Sequence, residues 1–217
     1  MRKDLEDMLR KGAEELGVTM DDRAVEAFAA YLHELRVWSR KMNLTTVTDE
    51  RGVVSRHFLD SLTPLSVVPG RGRVLDMGTG AGFPGLPMKI ARPGLEVTLM
   101  DGVRKKVHFL RHVIRKLGLT GAEAVHARAE DDPVVEKYAG HFDVVVSRAL
   151  TETADFLALA RPYLAPGGLV VAMKGPLGEG EAVRAGDVEG LEGVDVRTVE
   201  VPFAERATTL LVYRREG

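Results

Sequence analysis

The sequence predicts an α/β fold, with a mostly parallel seven-stranded sheet that ends in an antiparallel hairpin and follows an N-terminal helical extension. Three observations carry this. From residue 73 onward short apolar runs alternate with amphipathic stretches, the pattern of a parallel sheet covered on both faces. Near the end, residues 194–201 and 208–214 are strand-like runs joined by a link too short for a helix, so they should pair antiparallel. Before residue 67 the apolar residues instead recur at helical spacing. The expected division is therefore 1–66 as the extension and 67–217 as the sheet domain.

The elements follow in order. Leu5, Met8, Leu9 and Leu16 mark a first helix, and Gly17 separates it from a second that runs through Val25, Phe28, Ala29, Leu32, Leu35 and Trp38. Thr19, ahead of Asp21 and Asp22, is the expected cap of that second helix, because a short side-chain oxygen and nearby negative charge both favour a helix N-terminus. Asn43-Leu44-Thr45 should end it, and a third helix is expected over 50–67, stopped by Pro69-Gly70. The five apolar runs are 73–77, 96–100, 122–126, 142–147 and 169–173, with an amphipathic helix over 103–117. The Gly- and acid-rich stretch 178–193 reads as a mobile connection.

At 217 residues the chain can bury roughly 70% of its unfolded surface, enough for one full-sized domain with an appendage. With no Cys it has no disulfide framework, thiolate metal site or cysteine nucleophile, which fits a reducing cytoplasm. No run of 18 apolar residues appears, so no membrane partner is expected. The net charge of −2 hides an uneven distribution. Residues 1–60 carry 10 basic and 12 acidic groups, 61–120 carry 10 and 3, and 121–217 carry 10 and 17. The middle third can therefore present a positive field to a polyanion.

Residues 74–85, Val-Leu-Asp-Met-Gly-Thr-Gly-Ala-Gly-Phe-Pro-Gly, place a glycine-rich turn after the first strand. Two registers compete. Gly80, Gly82 and Gly85 satisfy the dinucleotide fingerprint, whereas Asp76, Gly78, Gly80 and Gly82 satisfy the S-adenosylmethionine pattern. The second also accounts for Asp76, since a carboxylate there would oppose a pyrophosphate and suit an ammonium group. Asp101, at the end of the second strand, can accept hydrogen bonds from ribose hydroxyls of either cofactor. After the third strand, Ala129 and Glu130 could face an adenine edge; a helix-capping acid is the alternative for Glu130.

Several further segments converge on one family. Trp38-Ser39-x-x-Met42-Asn43-Leu44-Thr45, His57-Phe58-Leu59-Asp60-Ser61-Leu62, the loop through Pro87, Lys105-Lys106-Val107-x-Phe109-Leu110, Arg128-Ala129-Glu130, Ser147-Arg148-Ala149 and Lys174-Gly175 occur in a common order. From about residue 20 to its end the chain resembles the RsmG (GidB) family of bacterial 16S rRNA guanine-N7 methyltransferases. It departs in having Ser39 where members commonly have Asn, and Gly102 where many have Ser. The resemblance implies a Rossmann-like class I methyltransferase fold, S-adenosylmethionine as cofactor, and Gly78, Phe83, Ala129, Glu130 and Arg148 in its shell. Phe83 and Arg148 rest on the resemblance alone. Together with the loop and strand-end acids, the expected cofactor set is Asp76, Gly78, Gly80, Gly82, Phe83, Asp101, Ala129, Glu130 and Arg148.

Guanine N7 already carries an in-plane lone pair, so its attack on a sulfonium methyl needs no deprotonation. No catalytic acid or base is expected, and positioning alone can supply roughly 7 to 11 kcal/mol. An Asn/Asp-Pro-Pro-aromatic motif is missing after the fourth strand, where Ser147-Arg148-Ala149-Leu150 stands, which argues against exocyclic amine methylation. Because N7 lies in a groove of A-form RNA too deep and narrow to read, the target should be an unpaired guanine. Lys105 and Lys106 on the helix after Asp101, Arg128, and Lys174 at the end of the fifth strand are the expected RNA contacts. The expected partner is 16S rRNA or a small-subunit assembly particle, met by a cytoplasmic monomer without a bound metal. His57 and Asp60, three residues apart on one helical face, could line a substrate pocket or bond each other. A nicotinamide-dependent oxidoreductase and a non-enzymatic RNA-binding or cell-division scaffold are the rival functions.

Overall fold

The computed structural model describes residues 1–148, 152–175 and 188–217. Seven strands, β1 (Gly72–Met77), β2 (Leu95–Asp101), β3 (Ala122–His126), β4 (Phe142–Arg148), β5 (Leu164–Lys174), β6 (Leu191–Val201) and β7 (Arg206–Arg215), form one sheet in the order β3-β2-β1-β4-β5-β7-β6. The first five are parallel, and β7 inserts antiparallel between β5 and β6. The sheet and hairpin are those the sequence predicts. Strand order reverses between β1, which leads outward to β2 and β3, and β4, which leads the other way; ligands of open α/β sheets bind at that switch point.

The helices are α1 (Lys3–Glu15), α2 (Asp22–Ser39), α3 (Glu50–Val53), α4 (Gly85–Ala91), α5 (Arg104–Lys116), α6 (Asp132–Tyr138) and α7 (Thr153–Ala160). Four details differ from expectation. α2 stops at Ser39 with Arg40 as its C-cap, short of the expected stop at Asn43-Leu44-Thr45. The cap of α2 is Asp21, whose Oδ1 accepts from the Ala24 N–H at 2.8 Å, and not Thr19. The helix expected over 50–67 changes winding twice: after α3 it widens to a π-helix over Val54–Leu59 and tightens to a 3-10 helix over Asp60–Ser66. Pro64, lacking an N–H, sits inside the last piece. Finally, β5 starts at Leu164, five residues early, with Gly167 in the left-handed region and the register to β4 broken between Phe142 and Val144. The stretch expected to be mobile falls largely on 176–187, outside the described residues, and its last three residues open β6.

Alternation along the strands divides the core in two. Val74, Val144, Val146 and Val171 join Leu5, Phe28, Tyr31, Phe58 and Phe109 on one face, so the N-terminal helices cover it together with α5. Leu75, Met77, Val145 and Val170 join Phe156, Leu157 and Tyr163 on the other. By the same alternation Asp76 and Arg148 belong to the face under the N-terminal helices. Among the described residues no helix is long and apolar enough to cross a membrane.

Candidate active site

The glycine loop leaves β1 over the end of β2. Gly78 and Thr79 donate their N–H groups to the Met100 carbonyl at 2.9 and 3.1 Å. Gly80 and Gly82 both have left-handed backbones, with φ of +63° and +103°, but for different reasons. A Cβ on Gly82 would meet Leu86 Cδ1 at 2.5 Å and the Tyr31 hydroxyl at 2.8 Å, so the missing side chain is a packing requirement. Around Gly80 a Cβ would meet nothing within 4 Å, so this point of the loop stays open to an approaching group.

Asp76 lies beneath the loop, fully buried. Its Oδ2 accepts from the Thr79 hydroxyl at 2.5 Å and the Gly85 N–H at 2.7 Å, which ties the strand end to both ends of the turn. Its Oδ1 is buried without a partner. Burial pushes the carboxyl up to about 7, although the bonds from Thr79 and Gly85 and the Arg148 charge all pull it down.

Next to the loop is a cavity of about 450 Å³ at the ends of β1, β2 and β3, lined largely by Met77, Met100, Val103, Ala127 and Leu159. Two acids are on its wall. Asp101 is buried, and its oxygens accept from the Gly80 N–H at 2.9 Å and the Val103 N–H at 2.8 Å, so the loop and the start of α5 fix its carboxylate. Glu130 is exposed, with Arg128 Nη1 at 3.8 Å. The Tyr163 hydroxyl donates to the Ala129 carbonyl at 2.7 Å, which anchors that rim from the second core.

On the other side of the switch point, over β4, β5 and β7, is a second cavity of about 420 Å³. Here Arg148 Nη1 donates to Asp60 Oδ2 at 3.0 Å and to the Arg56 carbonyl at 3.2 Å, and its Nη2 lies 3.2 Å from His57 Nδ1. A guanidinium has no acceptor, so His57 Nδ1 must accept, and the ring proton sits on Nε2, 2.6 Å from the Thr45 hydroxyl. Burial and then the Arg148 charge hold this imidazole down at about 3. The Arg148 guanidinium also stands 5.1 Å from the centre of the Phe83 ring. His57 and Asp60 therefore do not bond each other; both face Arg148.

The expected cofactor residues are thus split. Gly78, Asp101, Ala129 and Glu130 line the first cavity, and Gly80 borders it through its bond to Asp101. Asp76 and Gly82 support the loop from below, while Phe83 packs beside Arg148, which lines the second cavity. Of the expected RNA contacts, Lys174 lines the second cavity and Arg128 the first. Lys105 is exposed on α5, and Lys106 lies 3.6 Å from Asp101. Ala149 and Leu150 fall outside the described residues.

Sequence spacing missed Tyr31, Arg56, Arg206 and Thr208. The Tyr31 hydroxyl donates to the Ala81 carbonyl at 2.5 Å, inside the glycine loop, from 50 residues away. Such a pairing leaves no local pattern. Arg206 and Thr208 stand at the start of β7, where alternate residues of the hairpin's own sequence could have marked them as one face.

The profile of the family described as "GidB: rRNA small subunit methyltransferase G" matches residues 24–209. Relatives from Geobacter metallireducens and Myxococcus xanthus, both named ribosomal RNA small subunit methyltransferase G, are each 41% identical, over 100% and 97% of this chain and 99% and 97% of theirs. The chain belongs to the rRNA small subunit methyltransferase G family. Its fold is shared with more distant enzymes. The 1,6-didemethyltoxoflavin-N1-methyltransferase of Burkholderia thailandensis, solved with 1,6-didemethyltoxoflavin and S-adenosylhomocysteine, matches at TM-score 0.57 and 17% identity, over 88% of this chain and 89% of that one. A geranyl diphosphate methyltransferase, solved with S-adenosylmethionine, matches at TM-score 0.54 and 16% identity, over 73% and 82%.

Proposed function

We propose that this chain transfers the methyl group of S-adenosylmethionine to N7 of an unpaired guanine in 16S rRNA. The observation that carries the proposal is the pairing of two cavities across one switch point. One is apolar with acids on its wall, and the other is lined by cations.

The first cavity fits an adenosyl cofactor. Its size lies within the range of small-molecule sites, its walls suit a purine, and Asp101 is already held by the loop with lone pairs left for a ribose diol. The open space at Gly80 lets backbone come close to a ligand. In this reading Gly78, Gly80, Asp101, Ala129 and Glu130 hold the cofactor, and Asp76, Gly82, Phe83 and Arg148 fix the loop and the border between the cavities. When bound, the cofactor supplies an electrophilic methyl on a sulfonium sulfur.

The protein's contribution is then positional. His57, the one imidazole of the second cavity, is held neutral with both nitrogens occupied by Arg148 and Thr45, so it is unsuited to shuttle a proton. Residues 67–217 act as the catalytic domain and 1–66 as a helical cover, in a cytoplasmic monomer that meets RNA through Lys105, Lys106, Arg128 and Lys174.

Mass mapping of 16S rRNA from cells with and without the gene tests this. The expected result is one 7-methylguanosine that disappears with the gene and returns when purified protein and S-adenosylmethionine are added to the unmethylated RNA or its subunit particle. An unchanged methylation map would overturn the proposal.

A further inference from the structure

Two guanidiniums converge on one carboxylate in the second cavity. Asp60 Oδ2 accepts from Arg148 Nη1 at 3.0 Å and from Arg206 Nη2 at 2.8 Å, and Thr208 Oγ1 donates to Oδ1. Both guanidiniums also donate to the Arg56 carbonyl, at 3.2 and 3.0 Å. The two acceptors lie at successive points of the same irregular helix, one inside the π-helical segment and one at the first residue of the tighter segment that follows. Such a change in winding alters the direction of successive groups, and it recurs at functional sites.

Charge makes the arrangement unusual for a purely structural ion pair. Asp60 is buried at 2% exposure and balances one of its two arginines. Among the described residues the cavity wall carries Arg56, Arg148, Lys174 and Arg206 and one carboxylate, Asp60, while Arg56 also reaches Asp49, outside the wall, at 3.4 Å; Arg148 and Arg206 alone thus leave one positive charge beyond what Asp60 balances. His57 adds no charge, because it is held neutral. A concave wall with this excess selects an anion, and planar guanidiniums suit the oxygens of a phosphate. The neighbouring first cavity carries the opposite bias, with Asp101 and Glu130 on its wall against Arg128.

We propose that Arg206, with Arg56, grips a backbone phosphate next to the target guanine, and that Asp60 is a positioning residue that aims Arg206 and Arg148. This rests on the RNA-methyltransferase function proposed above and adds the subsite through which the nucleotide is seated. Arg148 faces Phe83 and the glycine loop, whereas Arg206 faces the cavity mouth, with 39% of its side chain exposed. The same oxyanion chemistry could come from the carboxylate of the cofactor's amino-acid end, so the test separates the two.

The test compares wild type with Arg206→Gln, a change at a half-exposed side chain, after thermal melts establish that both are folded. Binding of unmethylated 16S rRNA is measured from low to moderate salt, and S-adenosylmethionine binding is measured separately by calorimetry. The expected result is RNA affinity lowered about tenfold at low salt and a salt slope shallower by about 0.7, the loss of one single-strand phosphate contact, with cofactor affinity unchanged. Equal RNA affinity and slope in the two proteins would overturn the subsite, and so would a loss confined to cofactor affinity. If wild type itself binds no RNA, the function fails and the subsite with it; if wild type binds and the variant binds equally, the subsite alone fails. Asp60→Asn addresses positioning. It should keep the salt slope, since the wall becomes more positive, yet lower the single-turnover rate at saturating RNA. A folded Asp60→Asn protein with a normal rate would show that Asp60 is only a structural ion pair.

Discussion

The imidazole of His57 lies 4.7 Å from the ring of Phe83, centre to centre, with 21° between their planes. One residue comes from the helical segment before β1 and the other from the glycine loop, so this stack couples the lining of the second cavity to the loop. The chemistry of His57 follows from where it is held. Because its Nδ1 accepts from Arg148 and its Nε2 faces Thr45, it is a packing and hydrogen-bonding residue.

The single-turnover rate at saturating RNA and cofactor should therefore show no limb from His57 between about pH 6.5 and 8.5, where the folded imidazole stays neutral, and any slope centred near pH 7 belongs to Asp76 beneath the loop. His57→Gln should lower the melting temperature, by a loss of about 1–3 kcal/mol, and slow the reaction without giving the profile a new limb. Stability linked to this group has a definite sign. The unfolded chain takes up a proton near the ordinary value of 6.5 and the folded chain only near 3, so wild type should lose stability as pH falls through that window. A bell-shaped profile whose acid limb vanishes in the variant would make His57 a base after all.

Asp76 works in the opposite direction. Its folded carboxyl is pushed up to about 7 from 3.8, so over that interval the folded protein holds a proton that the unfolded chain has released, and stability falls as pH rises. Comparing Asp76→Asn with wild type isolates this from the His57 effect. The difference in melting temperature, variant minus wild type, should climb with pH between about 4 and 7 and then level. A difference that is constant across the window would mean that Asp76 is not protonated in the folded state.

Gly78 offers a test of the loop. It lines the first cavity with φ of +71°, so Gly78→Val strains the backbone by about 1–2 kcal/mol and places a branched side chain where the ligand would lie. Calorimetry should show S-adenosylmethionine binding lost in a protein that still melts cooperatively. Retained affinity would move the cofactor away from this turn.

On α5 the two lysines are not equivalent. Lys106 stands 3.6 Å from Asp101, so reversing its charge would set a second carboxylate beside the first cavity and disturb cofactor binding as well. Lys105→Glu alone is the clean probe of the basic helix. It should weaken RNA binding several-fold and flatten its salt dependence, with cofactor affinity preserved. An unchanged slope would place the RNA track elsewhere.

The parallel part of the sheet was legible because its strands are short apolar runs that alternate with amphipathic helices; observed and expected limits of β1, β2, β3 and β4 agree to within a residue or so. Where periodicity misled, a competing local force explains it. Asp21 outbids Thr19 because its carboxylate stands three residues before an open amide. The change in winding across Val54–Ser66 leaves the helical spacing of the apolar residues nearly intact, so the sequence reads as one regular helix. The loop acids could be found because they follow strands at fixed offsets. Arg206 and Thr208 of β7, Asp60 of the helical segment before β1 and Arg148 of β4 come together from three separate elements, and only the sheet order makes them neighbours.

The bond from Tyr31 to Ala81 has a consequence for how such a protein can be altered. The tyrosine ring is wholly buried against Phe58, Phe83 and Phe109, and its hydroxyl reaches into the turn that carries Gly80 and Gly82. Grafting onto this sheet a cover without a tyrosine at this place would strip a carbonyl of its donor and leave a void the size of a phenol under the loop. The cover and the turn are thus one packed unit: exchanging either leaves the other intact only where the incoming part brings back the phenol.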